Sequence, residues 1–94
     1  LPKNKLPISG VYIVKALLDK KVLNGIANMG IRPTIGGELP VLEVHLLDFS
    51  QSIYGQTLTV EFLKKVRDEK KFENTTALKE QIFKDITTAK NYFV

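Results

Sequence analysis

GVYIVKALLDKKVLNGIANM, residues 10–29, is the stretch on which the fold class turns. Gly10 opens VYIVKALL, a run of β-branched and aromatic residues that reads as a strand. Asp19-Lys20-Lys21 is a polar break, and residues 22–29 read as a second strand returning antiparallel across it. Further on, residues 30–37, GIRPTIGG, read as a loop. Pro33 fixes its own φ and biases Arg32 away from helix, and the glycines open conformations closed to other residues. Residues 41–49 read as a third strand, with Leu42, Val44 and Leu46 on one face and Glu43, His45 and Leu47 on the other. Tyr54-Gly55 marks a turn, and residues 57–66 form a fourth strand with Leu58, Val60 and Phe62 on one side. In the other direction, residues 1–9 are rich in Pro, Lys and Asn and read as an extended lead-in to a domain spanning 10–94.

The period then changes. Leu78, Ile82, Ile86, Ala89 and Phe93 recur every three or four residues, which is helical spacing. Asn74 is placed to cap a helix over 75–91. Four meandering strands closed by one helix predict a mostly β fold, a small antiparallel barrel with the helix over a face or an open end.

Composition narrows the function. The chain has 94 residues, 44% of them hydrophobic and 26% charged, which suits one small globular domain. Fourteen Lys and Arg against ten Asp and Glu give a net charge of +4. The lysines are interleaved with acids, so this balance reads as solubility, although a phosphate-bearing small ligand also fits it. There is no cysteine, which excludes disulfide and thiolate chemistry, and a single histidine excludes a metal cluster built from several. No apolar run approaches the roughly 18 residues needed to cross a bilayer, and LPKNKLP has no apolar signal region. The expectation is a cytoplasmic protein with no membrane partner.

GVY at 10–12, GIANMGIRPTIGG at 25–37, LEVHLLDF at 42–49 and IYGQTLTVEFLKKVRDEKKF at 53–72, followed by the closing helix, form an ordered set. The set resembles the riboflavin kinase domain, most closely the C-terminal kinase module of bacterial bifunctional riboflavin kinase/FAD synthetases, over residues 10–93. The resemblance implies a riboflavin-kinase-like β-barrel that phosphorylates riboflavin to FMN with ATP and Mg2+ or a similar divalent ion. It also implies an adenylyltransferase domain in the parent chain. The family carries a Gly-rich segment ending in Pro-Thr-Ala-Asn ahead of GVY, whose Thr and Asn position the metal and the phosphates. Pro33-Thr34 is not that motif: it follows GVY and lacks the Asn. The domain is therefore expected to be incomplete at its N-terminus, to supply no metal ligand, and to be inactive alone.

Spacing alone reads Glu43 as a solvated strand glutamate. The resemblance makes it the carboxylate that accepts the ribityl hydroxyl proton during transfer to phosphorus. His45 shares its face and reads as structural, orienting a neighbour. The resemblance places Arg67, Lys70 and Phe72 in a loop folding over the flavin; the plainer reading is a surface charge run with Phe72 anchoring the helix. It places Asp48 and Tyr54 at the nucleotide, where they also read as a strand end and a turn residue. Asn28, Arg32 and Thr34 belong to a loop on the active-site side and carry no assigned chemistry. Two other functions remain open, a basic barrel binding single-stranded nucleic acid and a non-catalytic flavin-binding module. The first is disfavoured by the scarcity of aromatics on any basic strand surface.

Overall fold

The computed structural model describes residues 9–49 and 57–94. It contains β1 (Gly10–Leu18), β2 (Lys21–Thr34), β3 (Gly37–Leu46), β4 (Leu58–Arg67) and α1 (Thr75–Tyr92). The strands form one antiparallel sheet in the order β3-β2-β1-β4. The expected mostly β architecture with one C-terminal helix is present, and among the described residues the sheet is open, with β3 and β4 outermost.

The first hairpin follows its sequence closely. Leu18 pairs with Lys21 and Gly10 with Met29, so Asp19-Lys20 is the two-residue tip, with Asp19 at φ 58°. The second hairpin corrects the loop expected at 30–37. β2 continues as strand to Thr34, β3 begins at Gly37, and the turn is only Ile35-Gly36. Gly36 takes the left-handed position at φ 87°, where a side chain would be strained. Pro33 is tolerated because β1 begins opposite Met29; beyond that point β2 pairs only with β3, so its other edge is unpaired by β1 and a missing N–H does little damage. A prolonged β2 arm, not a loop, therefore carries Arg32.

β1 is central and buried on both faces. Val11 and Ile13 face the helix; Val14, Ala16 and Leu18 face away and are equally inaccessible. Burying Ile13 and Val14 completely contributes roughly 1.5–3 kcal/mol each. Two register shifts against β4, between Val11/Tyr12 and between Ile13/Val14, increase the local twist. At the start of β1, Gly10 has φ 124°, and a Cβ there would lie 2.7 Å from the Arg67 carbonyl oxygen. Only glycine lets β1 begin this close to the end of β4.

α1 begins where the cap predicts. Asn74 is extended, at φ −155° and ψ 171°, and its Oδ1 accepts from the Ala77 N–H at 2.8 Å. The apolar stripe divides by position. Ile86, Ala89 and Phe93 join Val11, Ile13, Ile26 and Leu47 in the core, with Ala89 fully buried. Leu78 and Ile82 remain about 40% exposed. The C-terminal half of the helix is thus core, and the N-terminal half forms a wall. No helix among the described residues is long and apolar enough to cross a membrane.

Candidate active site

The wall faces a cleft of about 900 Å³ between the helix-covered face of β2 and β3 and the segment joining β4 to α1. Strand alternation puts Ile26, Asn28 and Arg32 of β2 on that face. The register pairs Asn28 with Glu43 and Ile26 with His45, so the partners share it. Glu43 and His45 share a face, as their spacing predicted, and both line the cleft from β3. Lys70 and Phe72 line it from the opposite side, on the connection after β4.

Glu43 is held by Arg32, whose Nη2 donates to its Oε1 at 3.0 Å; 61% of the Glu43 side chain remains exposed towards the cleft. The other end of the same guanidinium, Nη1, donates to Glu69 Oε2 at 3.1 Å and to the Ile31 carbonyl at 3.3 Å. The hydrogen bond that Arg32 donates to Glu69, opposed by desolvation and reinforced by the two carboxylate charges, raises the pKa of Arg32, so it stays cationic. Gly30 lies on the same face one pair away, and a Cβ there would collide with the Glu69 carboxylate. Asn28 Oδ1 is buried and has no hydrogen-bond partner, an unusual state for an amide oxygen beside a cleft.

Arg67 also lines the cleft, but its charge is committed to the helix. Nε and Nη2 both donate to Asp85, the closest approach being 2.8 Å, and Gln81 Nε2 donates to the same carboxylate at 3.0 Å. Nη1 donates to the Asp68 carbonyl at 3.0 Å. Asp85 is the one buried charged residue among those described, at 6% exposure. Arg67 and Lys70 flank Phe72, with Cζ and Nζ at 5.9 and 5.7 Å from its ring centroid. The site faces of Arg67, Lys70 and Phe72 are therefore brought together, around a cation that is already partnered.

Of the two residues assigned to the nucleotide, only Asp48 is among the described residues. Asp48 sits in the turn after β3 at φ 53°, is largely exposed, lies 3.8 Å from Lys90 Nζ, and does not line the cleft. Tyr54 lies outside the described residues. Thr34 is exposed beside the hairpin tip and does not line the cleft. Among the described residues no three His, Cys, Asp or Glu side chains cluster in a way that could hold a metal ion.

Sequence reasoning gave Asn28 and Arg32 no chemistry and passed over Glu69 and Asp85. For Asp85 a signal existed: it stands three residues after Ile82 and four before Ala89, inside the apolar stripe. For Glu69 none did, because its partner is 37 residues away.

A family model described as Flavokinase, riboflavin kinase, matches residues 1–93. The bifunctional riboflavin kinase/FMN adenylyltransferase of Haemophilus influenzae is 57% identical over 88 residues, covering 93% of this chain and 29% of that protein. The Bacillus subtilis protein of the same description is 43% identical over 91 residues, covering 94% and 29%. A second B. subtilis protein, described as the RNA-binding riboflavin kinase RibR, is 37% identical over 86 residues, covering 90% and 37%. A crystal structure described as a macrolide-efflux protein from Streptococcus pneumoniae matches with a TM-score of 0.83 at 33% identity, over 93% of this chain and 29% of that one. The chain spans about three-tenths of the length of the bifunctional relatives it matches. Because the family model matches all but the last residue, the chain belongs to the riboflavin kinase family.

Proposed function

We propose that this chain is the flavin-side part of an enzyme that transfers the γ-phosphoryl group of ATP to the terminal ribityl hydroxyl of riboflavin, forming FMN. The observation that carries this reading is Glu43, a strand-borne carboxylate projecting into an open cleft opposite Phe72 and Lys70. The cleft is large enough for a flavin, apolar along the helix wall, and polar where Glu43, Asn28 and Arg32 converge. Glu43 accepts the hydroxyl proton as the oxygen–phosphorus bond forms, and the bond from phosphorus to the ADP oxygen breaks. Phe72 offers an aromatic face to the ring system, and Lys70 offers a cation beside it.

Residues 10–94 are in this reading part of the kinase domain, with 1–9 leading into it. Thr and Asn of a Pro-Thr-Ala-Asn segment, which these 94 residues do not contain, would hold magnesium–ATP, with Asp48 and Tyr54 contributing to the nucleotide. A covalently linked adenylyltransferase domain is supported by the bifunctional relatives. The setting is cytoplasmic, in keeping with the lack of cysteine. A nucleic-acid partner is not part of this reading: Arg32 and Arg67, two of the cations at the cleft, are engaged by carboxylates.

The test is Glu43→Gln in the complete enzyme containing residues 1–94, assayed for FMN formation with ATP and magnesium. Loss of a general base lowers turnover by roughly 10²–10⁴. Flavin affinity changes little, because the shape is kept. Near-normal turnover would remove Glu43 from this role.

A further inference from the structure

We propose that Arg32 is a positioning residue that couples the setting of Glu43 to closure of the β4–α1 segment over the cleft. The inference rests on the reading of Glu43 as the base. One planar guanidinium serves two carboxylates from different parts of the chain, Nη2 on Glu43 of β3 and Nη1 on Glu69 of the segment that carries Lys70 and Phe72. A planar fork holds both carboxylates at fixed angles; an ammonium presents a single centre of charge with rotatable donors.

The residues around Arg32 are shaped to the task. Gly30, one pair along on the same face, leaves the space that the Glu69 carboxylate occupies. The Ile31 carbonyl accepts a third bond from Nη1 and restricts the guanidinium further. Pro33 biases Arg32 towards the extended conformation of the β2 arm. The segment Gly30-Ile31-Arg32-Pro33, part of the β2 arm, thus builds a mount with one end at the base and the other at the segment carrying Lys70 and Phe72.

Coupling follows from sharing. When Glu69 leaves Arg32 the segment is untied, and the guanidinium loses the anchor that sets its angle against Glu43. A carboxylate misplaced by an ångström is costly to proton transfer, on the order of a hundredfold. With the tie formed the segment is held beside the cleft, so its loss speeds departure of the bound flavin.

The experiment compares Arg32→Gln, Arg32→Lys, Glu69→Gln and the Arg32→Gln/Glu69→Gln double variant with Glu43→Gln in the complete enzyme. The readouts are kcat, the KM for ATP, and the FMN dissociation rate by stopped-flow fluorescence. Thermal melts confirm that each variant is folded. Arg32→Gln lowers kcat on the order of 10- to 100-fold with the KM for ATP little changed. It also speeds FMN release by about two- to fivefold, the factor for an exposed ion pair. Glu69→Gln speeds release by a similar factor, and the double variant releases FMN no faster than Arg32→Gln alone. Arg32→Lys, with charge but no fork, recovers only part of kcat. Additive effects on release, or an Arg32→Gln enzyme with kcat within twofold of the parent, would overturn the coupling. Full turnover by Glu43→Gln would remove the base reading and the catalytic half of the inference with it. The Arg32–Glu69 tie would still be read separately, from FMN release.

Discussion

Two arginine–carboxylate groups lie on the same face of this sheet, and they differ in what surrounds them. Arg67 and Asp85 are joined through two nitrogens and both oxygens, with side-chain exposures of 21% and 8%. Arg32 stands between Glu43 and Glu69 at the cleft mouth, with exposures of 38%, 61% and 35%. The first fastens α1 to the end of β4 in a place from which water is largely excluded. The second is open to a ligand. Identical chemistry becomes a structural clamp in one setting and an adjustable one in the other, because desolvation makes breaking a buried pair expensive and leaves an exposed pair cheap.

The comparison is broken most forcefully at Arg67. Arg67→Ala leaves the Asp85 carboxylate buried beside only Gln81, and stability falls by roughly 2–4 kcal/mol. For a domain of this size that is a drop in Tm of about 10 °C or more. Flavin and nucleotide affinity then fall together as the fold loosens. The paired change Arg67→Met with Asp85→Leu recovers most of the stability, since no charge is left unpaired. Denaturant melts of the three proteins decide it. Selective loss of flavin affinity at unchanged Tm would instead return Arg67 to the binding role its loop suggested.

Gly30→Ala probes the open group without touching a charge. The added methyl displaces the Glu69 carboxylate, the far end of a flexible side chain, so stability changes by less than about 1 kcal/mol. FMN release, by contrast, speeds by about two- to fivefold, matching Glu69→Gln. A large stability loss with unchanged release would show that Gly30 is needed for packing and not for the Glu69 contact.

The smallest effect is expected at Lys65 and Asp68, an exposed pair at 2.6 Å at the end of β4. The hydrogen bond from Lys65 lowers the pKa of Asp68. Its contribution to stability is therefore present above the ordinary Asp range and disappears as pH falls through the lowered value. Asp68→Asn removes that acid-side dependence, and moderate salt in the parent protein weakens the same contribution. Melts between pH 2 and 7 at two salt concentrations measure both.

Strand alternation and helical spacing are properties of neighbouring residues, so they were legible in the residues themselves. The opposed faces of Leu42, Val44 and Glu43, His45, the hairpin at Asp19-Lys20, and the cap at Asn74 all follow from local pattern. So does the identity of the family, which lies in an ordered set of short segments. Gly30 to Thr34 misled because Pro and Gly punctuate loops in general; only the lack of a β1 partner beyond Met29 makes a strand there permissible. The same limit applies to the charges. Arg32 meets Glu69 across 37 residues and Arg67 meets Asp85 across 18. Nothing in the period of either segment selects one carboxylate over its neighbours. That choice is made when the sheet's register and the helix's docking set which side chains come within hydrogen-bond reach, and how much water remains around them.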